Sequence, residues 1–364
     1  MIKKSLFYLL LLSITIINIG CTRRTQDNAT STNPQSDEAS PSISTTDDVK
    51  PDDTVQGENE SILQSTPEPT LSLEPTEAVE ATEAFSLSDI IPVRYIKPLL
   101  KNSGTIENIS YITHDYFGDG SEITKEAYVY LPYGYDTTKN YNVLYLMHGI
   151  GGNAEEWGMY NSTSKIKAIM DNLIHEGSIE PFIVVTPNGR SSKDYANTSS
   201  DFKSFYLFGE ELRNDLIPYI DKTYSTYAEY NEDGYDLTSA REHRAMAGLS
   251  MGGMQTINIG LCESLDILSW FGAFSAAPTT YTASQIVDYL KNFPDYNINY
   301  FYNICGKEDG IAIASSSAAT AGLTNLTDKL IDNENFIWHT LPGGHDFNIW
   351  YLGFYNFAQI VFTN

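Results

Sequence analysis

The stretch Arg244-Ala-Met-Ala-Gly-Leu-Ser250-Met-Gly-Gly253 constrains this chain more than any other. An apolar run reaches Gly248, Ser250 then sits between two glycines in the pattern Gly-x-Ser-x-Gly, and a small-residue segment from Met254 to Leu261 follows. The pattern suits a sharp turn from strand into helix, in which the flanking glycines let the backbone close around a strained serine. Such a turn lifts the hydroxyl clear of the sheet, and the helix N-terminus behind it favours developing negative charge. A serine so placed needs a base, an acid to orient that base, and donors for an oxyanion.

The chain has 364 residues, room for one large domain or two small ones. Residues 1–21 read as an export signal. Met1-Ile-Lys-Lys is a positive start, and the apolar stretch from Leu6 to Ile19 is too short for a comfortable membrane span. It ends in Asn18-Ile-Gly-Cys21, which resembles the lipobox of bacterial lipoproteins with a departure at Asn18, where leucine is usual. Cys21 is therefore the expected lipidation site, and the mature protein is expected outside the cytoplasm as a cell-surface lipoprotein or, failing that, a secreted one. Residues 22–85 read as a disordered linker of Ser, Thr, Pro and acidic residues. Fourteen carboxylates against Arg23, Arg24 and Lys50 make it repel itself.

The formal net charge of −25 argues against nucleic acid, since no excess of Lys and Arg exists to displace phosphate counterions. It argues equally against a basic membrane-binding patch, leaving the N-terminal lipid anchor as the expected membrane contact. Of three cysteines, Cys262 and Cys305 read as buried free thiols in separate elements, with a disulfide between them as the alternative, and no Cys/His cluster suggests a metal; no cofactor is expected.

From residue 86 the pattern becomes globular. Gly104–His114 and Lys125–Pro132 alternate as an antiparallel strand pair. Tyr141–Met147 and Phe182–Thr186 are continuous apolar strands, as expected where both sheet faces are covered. Lys165–Glu176 reads as a helix, and Phe208–Tyr224 as a long amphipathic one with Leu212, Leu216, Ile217 and Ile220 on one face. Further strands are expected at Trp270–Ala276, Tyr300–Cys305 and Ile337–Leu341, with a closing helix from Ile349 to Phe362. Strands alternating with helices imply an α/β fold, a mostly parallel central sheet with helices on both faces. This is an α/β-hydrolase-like plan, expected to occupy residues 86–364 as one domain.

That plan places the acid and then the base downstream of the serine, on loops at strand ends. His339 lies within a strand pattern and reads as structural. His345 follows that strand in Pro342-Gly-Gly-His-Asp, where glycines let the imidazole reach back, and is the expected base. Glu308 and Asp309 both follow the strand ending at Cys305; Asp309, followed by Gly310, is favoured, with Glu308 as the alternative. Oxyanion donors are expected at the Met251 amide and, within one residue, the Ile150 amide of His148-Gly-Ile-Gly-Gly152. His148 reads as a prop for that loop. No Gly-x-Gly-x-x-Gly or Gly-Lys-Ser/Thr accompanies the glycines, so a nucleotide loop is rejected.

With these residues in view the chain resembles the feruloyl esterases of carbohydrate esterase family one, the esterase-D-like branch of the α/β-hydrolases. The resemblance runs through Val129-Tyr-Leu-Pro-Tyr-Gly-Tyr, Leu144-Tyr-Leu-Met-His-Gly-Ile-Gly-Gly and Phe182-Ile-Val-Val-Thr-Pro-Asn. It continues through Leu216-Ile-Pro-Tyr-Ile, the block from Arg241 to Gly253, Phe274-Ser-Ala-Ala-Pro and Gly344-His-Asp-Phe-Asn-Ile-Trp. It implies Ser250, Asp309 and His345 as the triad, and hydrolysis of feruloyl or related hydroxycinnamoyl esters of xylan or xylo-oligosaccharides. Trp157 and Trp350 are candidate walls for an aromatic acyl group, the alternative being that both are core tryptophans. The alternatives are an acetylxylan esterase or another acyl esterase or acyltransferase of this fold, and an idle carbohydrate-binding surface protein. An intact triad disfavours the last.

Overall fold

In the computed structural model, residues 86–196, 202–232 and 234–363 are described. The expected signal at 1–21, the lipidation of Cys21 and the linker at 22–85 lie outside the described residues. The described part falls within one compact unit, Val79–Asn364.

The described residues form ten strands: β1 (Thr105–His114), β2 (Glu122–Leu131), β3 (Val143–Met147), β4 (Ile183–Pro187), β5 (Glu229–Asn231), β6 (Gly234–Asp236), β7 (Arg244–Leu249), β8 (Trp270–Phe274), β9 (Tyr300–Gly306) and β10 (Phe336–Leu341). Eight form one sheet in the order β1-β2-β4-β3-β7-β8-β9-β10, while β5 and β6 make a separate hairpin. β1 pairs antiparallel with β2, and β2 with β4; the other pairings of the eight-stranded sheet are parallel. The α/β expectation therefore holds, with an antiparallel ribbon on one edge.

Helices α1 (Lys165–His175), α2 (Phe208–Glu211), α3 (Ile217–Thr223), α4 (Met251–Gln255), α5 (Ala283–Leu290), α6 (Ile313–Thr320) and α7 (Phe347–Ile360) cover both faces. Alternation along the strands shows why β3 reads as a continuous apolar run. Val143, Tyr145 and Met147 join Leu212, Leu216, Ile217 and Ile220 on one face. Leu144 and Leu146 join Ile166, Ile169, Leu173, Phe354 and Phe357 on the other. The long helix expected over 208–224 is α2 and α3 joined by a π-helical turn at Leu212–Leu216. Its four apolar residues are buried as expected. Cys262 and Cys305 are buried and free.

The sheet order has one reversal that matters. From β3 the chain moves outward to β4, then returns across β3 to β7, so β3 and β7 lie side by side with Met147 opposite Gly248. Loops leaving the C-terminal ends of such neighbours part in opposite directions and open a crevice, the usual ligand position in open α/β sheets.

Candidate active site

Ser250 stands at that crevice between β7 and α4, with φ +52° and ψ −112°. For a non-glycine residue this is strained backbone, and it persists only where surroundings over-determine it. Here the Ser250 amide donates to the Phe274 carbonyl at 2.9 Å, and its carbonyl accepts from Met254 and Ala277 at 3.0 and 2.9 Å. The glycines are needed for space. A Cβ on Gly248 would lie 2.7 Å from the Gly252 carbonyl carbon, and one on Gly252 would lie 2.6 Å from the Met147 carbonyl oxygen.

The base and acid arrive on the loops after β10 and β9. His345 Nε2 lies 3.0 Å from Ser250 Oγ, and its Nδ1 lies 2.9 Å from Asp309 Oδ2. The other Asp309 oxygen accepts the Ile311 and Ala312 amides at 3.0 and 2.8 Å. Burial alone would raise the Asp309 carboxyl, but the hydrogen bonds from His345 and the Ala312 amide outweigh it and hold it below its ordinary value. An ionised Asp309 can only accept, which puts the proton on Nδ1 and leaves Nε2 to accept the serine hydroxyl. The two loops are clamped together. Lys307 and Glu308 amides donate to the Leu341 and Gly343 carbonyls, and the Glu308 carboxylate takes the Gly343 amide at 2.6 Å. Glu308, the alternative acid, is thus spent on the clamp, and Asp346 caps α7 through the Asn348 amide.

The loop after β3 faces the serine: a Cβ on Gly149 would lie 3.4 Å from Ser250 Cβ. The Gly149 amide donates to the Glu156 carboxylate at 2.6 Å, leaving the adjoining Ile150 amide as this loop's candidate donor beside Met251. His148 props the loop, its Nδ1–H on the Gly149 carbonyl at 2.7 Å and its Nε2 accepting the Gly189 amide at 2.9 Å. Burial pushes this imidazole down to about 3, so it stays neutral and is no second base. Arg190, from the loop after β4, donates to the Gly152 carbonyl at 2.7 Å and also to the Ile150 carbonyl. Fixing these carbonyls fixes the opposite orientation of the neighbouring amides. Among the described residues no group of three or more His, Cys, Asp or Glu is placed to hold a metal ion.

The family described as "Putative esterase" matches residues 122–284. An endo-1,4-beta-xylanase/feruloyl esterase of Xylanibacter ruminicola is 31% identical over 267 residues, 72% of this chain and 32% of that protein. Endo-1,4-beta-xylanase Y of Acetivibrio thermocellus is 39% identical over 148 residues, 41% of this chain and 12% of that protein. The chain thus spans a third or less of these curated relatives. Among solved structures, the carbohydrate esterase family one ferulic acid esterase of Anaeromyces mucronatus superposes with TM-score 0.62 at 26% identity, covering 77% of this chain and 98% of that one. A serine-to-alanine form of the feruloyl esterase module from Clostridium thermocellum, complexed with sinapinate, gives TM-score 0.62 at 27% identity over 77% of this chain and 96% of that one. The chain is similar to the feruloyl esterases of carbohydrate esterase family one and has an α/β-hydrolase fold.

Two expectations about this feruloyl-esterase-like domain need correction. Trp157 is not an acyl-pocket wall: it is fully buried, its Nε1–H donates to the Met147 carbonyl at 3.0 Å, and its ring packs on Phe274, Phe347, Tyr351 and Phe354. Trp350 is also nearly buried, and its ring meets the His345 imidazole edge to face, centroids 5.0 Å apart. It backs the base instead of lining a pocket. Sequence reading missed Arg190 and Glu156. Arg190 carried a usable signal, an arginine just beyond an apolar strand in Pro187-Asn-Gly-Arg, but its partners come from a loop 40 residues away.

Proposed function

We propose that this protein is a serine carboxylic-ester hydrolase acting on feruloyl or related hydroxycinnamoyl esters of arabinoxylan and its oligosaccharides. The observation carrying the reading is the hydrogen-bonded series Ser250–His345–Asp309 at a strained elbow. The acyl group is taken from the ferulic acid esterases that the domain resembles over nearly their full length.

In the first step Ser250 Oγ attacks the ester carbonyl while His345 Nε2 takes the hydroxyl proton. The tetrahedral oxyanion lies between the Met251 and Ile150 amides, and Asp309 stabilises the imidazolium without taking its proton. The carbonyl–oxygen bond to the sugar then breaks, and His345 protonates the departing alkoxide. Water, deprotonated by the same imidazole, attacks the acyl-enzyme and releases the hydroxycinnamate and free Ser250. No step calls for a metal. As to location, we place the enzyme outside the cytoplasm, held at the cell surface through lipidated Cys21.

Rates on methyl ferulate, methyl sinapinate, 4-nitrophenyl acetate and acetylated xylan, for the native chain and Ser250→Ala, test the reading. Ferulate or sinapinate should turn over fastest, and the alanine variant should lose ~10⁴-fold or more in kcat. Near-normal hydrolysis by the variant would overturn the mechanism. Turnover of acetyl esters with none of ferulate would overturn the substrate.

A further inference from the structure

A cavity of about 750 Å³ opens at the opposite end of the sheet from Ser250. Its lining includes Asn142, His243, Trp270 and Asn299, each of which lies just before or at the first residue of β3, β7, β8 or β9. Ser250 and Asp309 follow the other ends of β7 and β9, and His345 follows the same end of the parallel neighbour β10. Across the six residues of β7 the separation is therefore ~20 Å at ~3.3 Å per residue. No group here can reach a bond under attack at Ser250.

The volume lies within the ordinary range for small-ligand sites, ~300–1,000 Å³. Its aromatic surface is ordered. Tyr227 stacks flat on His243, centroids 3.6 Å apart at 8°, and His243 Nδ1 is in turn bound to Asn142 Oδ1 at 2.7 Å. Tyr227 and Tyr133 nevertheless remain 37% and 58% exposed. The Trp270 indole N–H is tied to the Glu242 carbonyl at 2.8 Å. Around these rings stand the carboxamides of Asn140 and Asn299 and the carboxylates of Glu180 and Glu242. Lys139 is the one Lys or Arg of the lining among the described residues, Arg241 behind the lining pairs Glu242 at 3.4 Å, and burial holds His243 below its ordinary value, toward the neutral form. The two carboxylates offset these two cations, so no excess of positive charge exists to hold an anionic ligand. A neutral polyol fits: the C–H faces of a pyranose pack on tyrosine rings, while amides and carboxylates take its vicinal hydroxyls.

The geometry points to a second binding site at this cavity, for a neutral oligosaccharide that carries no ester. Such a site would hold the enzyme on a polysaccharide while Ser250 works elsewhere on it, raising effective concentration without altering the chemical step.

The test uses the full-length Ser250→Ala protein with unesterified xylohexaose and cellohexaose in titration calorimetry, in the presence and absence of saturating ferulate. Tyr227→Ala and Tyr133→Ala are made in that background and, separately, in the active enzyme. Binding of at least one hexaose that persists in ferulate, and weakens about tenfold or more in either tyrosine variant, is the expected result. Methyl ferulate turnover by the active tyrosine variants should match the parent, which also certifies that they fold. If neither hexaose binds, if ferulate abolishes binding, or if both folded variants bind as the parent does, the site is refuted. Hydrolysis of methyl ferulate is read independently, so loss of this site and loss of the esterase reading are separate outcomes.

Discussion

The position of Ser250 is held by its neighbours, and the least obvious of these supporting residues is Arg190. Its guanidinium reaches from the loop after β4 to the Ile150 and Gly152 carbonyls, and its own carbonyl accepts from Lys125 Nζ at 2.8 Å. Removing the side chain should free the peptide planes that follow Ile150 and Gly152, and so loosen the loop that carries the Ile150 amide. Losing one such donor outright costs ~10²–10³ in kcat. Arg190→Ala is therefore expected to lose ~10–100-fold in kcat on methyl ferulate, with a smaller change in KM. Steady-state kinetics checks this, and an unchanged kcat in a folded variant would show that the loop holds itself. Trp350 is a second case: its edge-to-face contact with His345 limits the ring rotations open to the base.

Among the elements, β2 and α2 are joined by a fully buried ion pair. Lys125 Nζ meets both Glu211 oxygens at 2.6 and 2.8 Å and donates to the Asn188 carbonyl at 2.9 Å. Glu211 also accepts from Tyr111 and Ser191. The pair thus pins the start of the loop that carries Arg190. Breaking it from one side leaves an uncompensated buried charge, at a cost of ~3–5 kcal/mol, whereas replacing both partners by apolar residues is often nearly neutral. Urea unfolding should show Lys125→Met strongly destabilised, with Glu211→Leu added to it recovering much of the loss. Equal destabilisation of single and double variants would show that the pair's hydrogen bonds to the loop, not the stranded charge, set the cost. The element pattern also explains what sequence reading overlooked. α6 is Ile-Ala-Ser-Ser-Ser-Ala-Ala-Thr, with no apolar periodicity, and it is a helix because Asp309 and the flank of β9 receive it. α5 did carry a signal, since the Gln285 side chain accepts the Thr282 amide in a Thr-x-x-Gln cap.

For the molecule as a whole, the folded state rejects a proton that the unfolded chain accepts. His148 is held down to about 3 by burial, against an ordinary value of ~6.5. Its contribution is intact above the unfolded value. As pH falls from ~6.5 toward 3 the unfolded state binds the proton and the native state does not, so stability declines by up to ~1.4 kcal/mol per pH unit from this group. Asp309, also depressed, adds a loss at lower pH, below the ordinary carboxylate value. Unfolding free energies measured between pH 7.5 and 4.5 should fall more steeply for the native protein than for His148→Asn. Parallel slopes would mean that His148 is accessible to protons in the native state. Acid should therefore loosen the oxyanion loop through its prop, as a stability effect distinct from titration of the catalytic base.

Sequence alone already determined the α/β class, the eight strands of the main sheet though not the β5–β6 hairpin, and the order serine, acid, base. Continuous apolar strands, alternating edge strands and glycine-bounded loops are local signals that arise from burial periodicity and backbone sterics. The choice between Asp309 and Glu308 was argued from a turn preference, and the structure separates them by partner: Asp309 meets His345, while Glu308 takes the Gly343 amide. Only the fold decided which tryptophans lie where. Both are aromatic residues in loops or helices near the site, and Trp157 is consumed by a core formed from α7 while Trp350 backs the base. Arg190 and the cavity before β3 and β7 were likewise invisible, because each gathers side chains tens of residues apart through the crossing of the sheet. Local sequence specifies what each segment becomes; proximity between distant segments follows from how the layers close over one another.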